Sequence, residues 1–217
     1  MEPIAVEEYR AHTISIYPDE CAGSPRDWDN LGTMHCWHRR YDLGDVQHGG
    51  SETGNDVLRQ LMAEREWTVR HKSVDPDLVP DEHLCRYVEK HFIVLPLFLY
   101  DHSGLAMSTG SFVGQAQHAE WDSGQVGFII ATKEEGRRDW IDDANAEGRL
   151  RDEVEIYDAW LSGQVYGYTV KASSEAEIDS CWGFYGDWEY MLEEARAAIN
   201  REIAALEANA VGVPEVV

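Results

Sequence analysis

Four consecutive stretches decide the fold: RLRDEVEIYDAWL (Arg149–Leu161), QVYGYTV (Gln164–Val170), IDSCWGFY (Ile178–Tyr185) and DWEYMLEEARAAINREIAALEA (Asp187–Ala208). In the first, Leu150, Val154, Tyr157 and Leu161 recur at spacings of 4, 3 and 4, one apolar stripe along an α-helix. The next two are rich in Val, Tyr, Trp and Phe and predict a pair of strands, with Ser173–Glu177 as their hairpin connection. Asp187 then caps a long helix whose inward stripe is Trp188, Met191, Leu192, Ala195, Ile199, Ile203 and Leu206. Two strands in direct succession, with helices before and after, do not fit the regular strand–helix alternation of a doubly wound sheet. The pattern predicts an α+β fold: a mixed or antiparallel sheet of about five to seven strands, with about three to five packed helices and a long C-terminal helix.

Working outward, the remaining segments fit the same class. His12–Tyr17 alternates Ile14 and Ile16 with polar neighbours, and Trp28–Tyr41 reads as extended. A glycine-containing loop, Gly44–Gly54, leads to Thr53 and Asp56, a capping pair for a helix with Val57, Leu58, Leu61 and Met62 on its apolar face. Trp67–Lys72 reads as a short strand, Asp75–Pro80 as a turn, and Asp81 as the cap of a helix carrying Leu84, Cys85 and Val88. Phe92–Tyr100 and Gln125–Thr132 are core strands, with Pro96 pointing to an edge or a bulge. Thr132 with Glu135 caps a helix through Trp140. Without a linker or repeat, residues 1–210 read as one domain and 211–217 as a frayed tail.

Charge narrows the function. The 217 residues carry 41 acids against 18 bases, a net charge of −23. That excludes direct binding to nucleic-acid phosphates and docking on anionic membranes, both of which need basic surface. The longest apolar run, Phe92–Tyr100, is far short of the roughly 20 residues a spanning helix requires. The opening MEPIAVEEYR has no basic-then-apolar leader, so a cytoplasmic location is expected. Cys21, Cys36, Cys85 and Cys181 form no CxxC pair and read as reduced thiols, mostly in the core. Only 4 bases are Lys and 14 are Arg, a bias that fits a GC-rich genome or a halophile.

The excess acid concentrates in residues 141–217, with 17 acids against 5 bases. Asp152, Glu153, Glu155 and Asp158 flank the stripe of the first helix, and Glu189, Glu193, Glu194 and Glu202 lie mainly off that of the last. Carboxylates at helical spacing form a rigid negative face that imitates the phosphate lattice of DNA. The expected partner is then a host protein with a basic nucleic-acid-binding groove, approached by long-range attraction. The aromatic content, 8 Trp, 10 Tyr and 5 Phe, equally suits a homodimer interface.

A second reading places a metal- or ligand-binding enzyme site around Cys36, His38, Asp101, His102 and Cys181. In His35-Cys36-Trp37-His38, strand alternation puts Cys36 and His38 on one face and His35 on the other. Two such ligands hold zinc if the fold supplies Cys181, His102 or Asp101; a Cys nucleophile with a His base is the same cluster read as catalysis. The plain alternative is a buried thiol beside a core histidine, with no cofactor. Asp101-His102 and Trp121-Asp122 set carboxylates beside aromatic residues, as acid–base work in a cleft can use, but with Ser103-Gly104 and Ser123-Gly124 following them the reading of each Asp as a turn cap is favoured. P-loop, GxGxxG, HExxH and nucleophile-elbow patterns are missing from the sequence. The balance favours binding over catalysis.

Four phrases in order, Asn30-Leu31-Gly32-Thr33-Met34 leading to Cys36-Trp37-His38-Arg39-Arg40-Tyr41, Tyr100–Gly104 (YDHSG), Trp121–Ile129 (WDSGQVGFI) and Asp179–Asp187 (DSCWGFYGD), resemble an uncharacterised family encoded by bacteriophages, plasmids and other mobile elements. The resemblance spans roughly residues 26–195 and implies a setting, an accessory protein of a mobile element. It brings no catalytic residue with it. In that setting a DNA-mimicking inhibitor of a host restriction or CRISPR nuclease is the expected role.

Overall fold

The computed structural model describes residues 2–49, 53–64, 68–69, 72–73, 75–138 and 143–211. In chain order the strands are β1 (Ala5–Tyr9), β2 (His12–Pro18), β3 (Thr33–Cys36), β4 (Val46–Gln47), β5 (Thr68–Val69), β6 (Lys72–Ser73), β7 (Phe92–Asp101), β8 (Leu105–Ser108), β9 (Ser123–Thr132), β10 (Val165–Ala172) and β11 (Glu177–Tyr185). The helices are α1 (Gly54–Glu64), α2 (Asp81–His91), α3 (Ala119–Asp122), α4 (Lys133–Arg138), α5 (Asp143–Leu161) and α6 (Trp188–Val211). The class is α+β with a long C-terminal helix, as the sequence predicts. The strands divide between a four-stranded and a five-stranded sheet, with β5–β6 a separate small hairpin. The chain forms two compact units: residues up to Gly23 together with those from Ala159 onward, and Ser24–Asp158.

Two hairpins build the sheet of the first unit, in the order β1-β2-β10-β11 and antiparallel throughout. The sequence reading has no β1. Its turn explains why: Arg10 and Ala11 close the hairpin at φ 49° and 60°, the left-handed pair ordinarily signalled by Asn-Gly. Ile14, Ile16, Tyr168 and Val170 alternate onto one face, and Met191, Ala195 and Ile199 of α6 cover them. Ile203 is partly buried against this cluster, whereas Leu206, expected in the buried stripe, is 60% exposed. A 24-residue helix is about 36 Å long and an eight-residue strand about 26 Å, so the last turns of α6 outrun the sheet. Asp187 caps α6 as predicted, accepting from the Tyr190 N–H at 2.9 Å. Gly183, at φ 84°, is the extra residue of a bulge between Phe184 and Trp182.

The second unit holds the sheet β4-β3-β9-β7-β8, antiparallel except for the short β3–β4 pair. Extended structure in the Trp28–Tyr41 segment is confined to Thr33–Cys36. Pro96 pairs with Phe128 of β9, while β8 joins β7 only from Phe98 onward and a register shift falls between Leu97 and Phe98. Bulge and local edge, the two settings expected for Pro96, are therefore both present. Leu58 and Met62 of α1, Leu84 and Val88 of α2, and Phe92 and Ile130 of the sheet form one cluster. Thr53 and Asp56 form the predicted capping box: Asp56 accepts from the Thr53 N–H and hydroxyl, both at 2.7 Å. Thr132 and Glu135 do the same for α4, whose continuation toward Trp140 lies outside the described residues. Asp81 is not a cap. Pro80 holds that position, and Asp81 is the first helical residue, ion-paired with Arg59.

Candidate functional site

The acids singled out on α5 divide by what they touch. Asp152 and Glu155 are exposed, but Glu153 is buried. It accepts the N–H groups of Leu31 (2.7 Å) and Gly32 (3.2 Å) and pairs with Arg26 at 3.2 Å. Arg26 also forks onto Asp45 and donates to the Gly32 carbonyl. Asp45 in turn accepts the Met34 N–H at 2.7 Å. This closed network ties α5 to the loop before β3 and to the segment after it. Asp158 is half-buried and accepts the Met107 N–H at 2.6 Å; burial raises its pKa. On α6, Glu189 and Glu193 are exposed and Glu194 is half-buried, while Glu202 turns toward His12, Nε2 to Oε2 3.3 Å.

The His35–His38 cluster does not become a ligand set. β3 ends at Cys36, so the alternation that would pair Cys36 with His38 stops between them. Cys36 is fully buried, and burial, reinforced by Asp45, pushes its thiol up to about 12. A Cβ at Gly127 would stand 3.1 Å from its sulfur, and one at Gly44 3.0 Å, which shows how tightly the site is sealed. Such a thiol is no nucleophile near neutral pH. Of the other cysteines, Cys21, Cys85 and Cys181 are exposed rather than in the core, and Cys181 belongs to the first unit. His35 faces His48, ring nitrogens 3.0 Å apart. Among the described residues no group of three or more His, Cys, Asp or Glu is placed to hold a metal ion, and no helix is long and apolar enough to cross a membrane.

What the fold does assemble, within the second unit, is an open cleft of about 310 Å³ between the end of β3, β7 and the start of β9. His38, Arg40, Asp101, Trp121 and Asp122 line it, with Leu99, Val126 and Gly124 among its walls. Each side chain is held by local geometry. His38 Nδ1 accepts the N–H groups of Arg40 (3.3 Å) and Tyr41 (3.2 Å), and its ring stacks on Tyr41 at 5.0 Å. The Nδ1 lone pair is thereby occupied, so the neutral ring carries its proton on Nε2. Burial, then the nearby Arg40 charge, lowers the pKa of His38 and keeps it in that form. Arg40 pairs with Asp101, to which the Tyr41 hydroxyl also donates, at 3.2 Å. His118, in the left-handed region at φ 58°, starts the short turn α3. That turn presents Trp121, 86% exposed, beside Asp122. His102 donates from Nδ1 to Asp122 Oδ2 at 2.8 Å from outside the lining. A Cβ at Gly124 would meet nothing within 4 Å, so the cleft is open above that residue.

Of the residues proposed from sequence, the cleft thus unites His38 and Asp101, with His102 one hydrogen bond away, and leaves out Cys36 and Cys181. Arg40 and Tyr41 are the additions the sequence reading lacks. Their signal is a run of charged and aromatic residues just past a strand end, where a side chain cannot enter the core. The chain matches no protein-family model, and no curated protein and no solved structure matches it.

Proposed function

We propose that this protein acts by binding a small polar molecule in the cleft of its second unit. The observation that carries the reading is the convergence of His38, Arg40, Asp101, Trp121 and Asp122 on one open cavity. They come from three separate stretches of chain, and Trp121 stays exposed at the rim. Its volume lies at the lower end of the range for small-molecule sites. Asp101 and Asp122 are the paired cleft carboxylates that acid–base chemistry uses, while the Ser123 hydroxyl beside them donates to the Ala119 carbonyl. A thermal-shift screen of polar small molecules on the full chain, run beside Gly124→Leu, tests the reading. Ligands that stabilise the natural chain and not the filled variant are expected. Equal responses from both contradict it.

A second reading keeps the acidic surface as the working part. The net charge of −23 supports it, as do the exposed Asp152, Glu155, Glu189 and Glu193. On this reading the chain is a DNA-mimicking accessory protein that occupies the basic groove of a restriction- or CRISPR-type nuclease in a bacterial or archaeal cytoplasm. Reversing Asp152, Glu155, Glu189 and Glu193 to Lys abolishes capture of such a nuclease at low salt if this reading holds; unchanged capture removes it.

A further inference from the structure

We infer that the ligand of the cleft is a neutral carbohydrate, seated with its C–H face on Trp121 and its hydroxyls against the charged lining. The inference rests on the binding role proposed for the cleft and deepens it.

The first argument is charge. Each carboxylate of the cleft already has a partner in place: Asp101 has Arg40 and the Tyr41 hydroxyl, and Asp122 has His102. A cationic ligand is repelled by the Arg40 guanidinium that lines the cleft. An anionic one finds only Arg40, already paired, and the two acids repel it. A phosphorylated ligand is thereby disfavoured, in keeping with the charge of the whole chain.

The second argument is hydrogen bonding. A carboxylate has more acceptor sites than these contacts use, since each oxygen has two lone pairs. Asp122 shows one contact, from His102 to Oδ2. Arg40 has five N–H donors, and its contact with Asp101 runs through Nη2. His38 adds an Nε2–H donor, because its Nδ1 is taken by the backbone. The lining therefore offers donors and acceptors together. A hydroxyl, which both donates and accepts, is the group that satisfies such a mixed lining, and a carbohydrate presents several on one rigid ring.

The third argument is Trp121. An indole 86% exposed beside a polar cleft is a flat apolar surface set against charged groups. It covers the ring face of a ligand whose edge is polar. An apolar ligand matches Trp121 but strands the charges; a small polyol matches the charges but leaves the indole bare. A sugar ring fits both. Gly124 leaves room above the strand for its approach.

Calorimetric titration of the full chain tests this. The probes are neutral oligosaccharides of glucose, galactose and N-acetylglucosamine, together with adenosine, inorganic phosphate and choline. At least one oligosaccharide is expected to bind. Trp121→Ala then weakens it about tenfold and Trp121→Phe largely restores it. Gly124→Leu removes binding with the circular dichroism spectrum unchanged, and Glu89→Gln, on exposed α2 surface, binds as the natural chain does. Binding of adenosine, phosphate or choline instead of the sugars, with the same dependence on Gly124, overturns the ligand class while the cleft stands as a binding site. If no probe binds in a Gly124-dependent way, the carbohydrate assignment and the binding role of the cleft both fall.

Discussion

Two networks in the second unit use the same residue types and end in opposite states. In the Arg26–Asp45–Glu153 network the Arg26 side chain is 6% exposed and that of Glu153 is 9% exposed. Its acceptors are spent on backbone N–H groups that the fold must satisfy, those of Leu31, Gly32 and Met34. In the cleft network the Arg40 side chain is 69% exposed, and donors and acceptors still face open space. Residue type does not separate the two; enclosure does. The closed network fixes where α5 sits against β3 and its flanking loops. The open one contributes little to stability and has capacity left for a ligand.

The contrast can be broken in several ways. The largest expected effect is on the thiol sealed beside the closed network. With its pKa pushed up to about 12, Cys36 holds about a thousandfold less thiolate at pH 8 than a thiol at its ordinary value of 9.0. Alkylation of the folded chain at pH 8, read by mass spectrometry, should label Cys21, Cys85 and Cys181 and spare Cys36. Rapid labelling of all four contradicts the closure.

Next comes the closed network itself. Glu153→Ala leaves Arg26 and two N–H groups without their carboxylate and should cost about 3–5 kcal/mol. Asp101→Ala, in the open network, should cost no more than about 1 kcal/mol. Urea unfolding midpoints compare the two, and equal losses dissolve the distinction. The glycines sharpen it further. A Cβ at Gly32 would lie 2.4 Å from Leu150 Cδ2 and 2.7 Å from Ile129 Cγ1, so Gly32→Ala should cost about 1–3 kcal/mol. Gly124→Leu, into open space, should stay within about 0.5 kcal/mol of the natural chain.

The smallest effect is on pH dependence. Burial first, then neighbouring charge, lowers the pKa of both His35 and His38 in the folded chain. The folded state therefore resists taking up their protons. Their contribution to stability is fully present above the unfolded value of 6.5 and is lost as pH falls from there through the depressed folded values. For His38, burial comes first and the Arg40 charge second, and protonation would also remove the Nδ1 acceptor used by the Arg40 and Tyr41 N–H groups. His38→Asn should flatten the fall in urea midpoint below pH 6.5, and an unaltered slope contradicts that role.

How much of this is legible in the sequence depends on range. Helix starts are local, and Thr53 with Asp56, Thr132 with Glu135, and Asp187 were all readable because cap and partner lie within three or four residues. β1 is invisible because Arg10-Ala11 carries no turn signal. Leu206 keeps perfect helical periodicity and is still exposed, because periodicity does not record where the sheet beneath it ends. Glu153 sits one residue before Val154 and looks like a flanking acid. Only the arrival of Arg26, 127 positions away in sequence, makes its burial tolerable. The cleft follows the same rule. The stretches that form it, His38–Tyr41, Asp101-His102 and Trp121–Gly124, each stand out as charged or aromatic residues beside a strand end. Their convergence depends on β9 lying between β3 and β7, a pairing no local pattern encodes.

The measurement that tests the central claim most directly is fluorine NMR of the chain labelled with 5-fluorotryptophan, with the Trp121 signal assigned through Trp121→Phe. The account predicts that a neutral oligosaccharide shifts the Trp121 resonance in a saturable way and leaves that of Trp182, in the first unit, in place. A bound sugar that moves Trp182 and not Trp121, or a Trp121 signal that answers to none of the oligosaccharides, contradicts it.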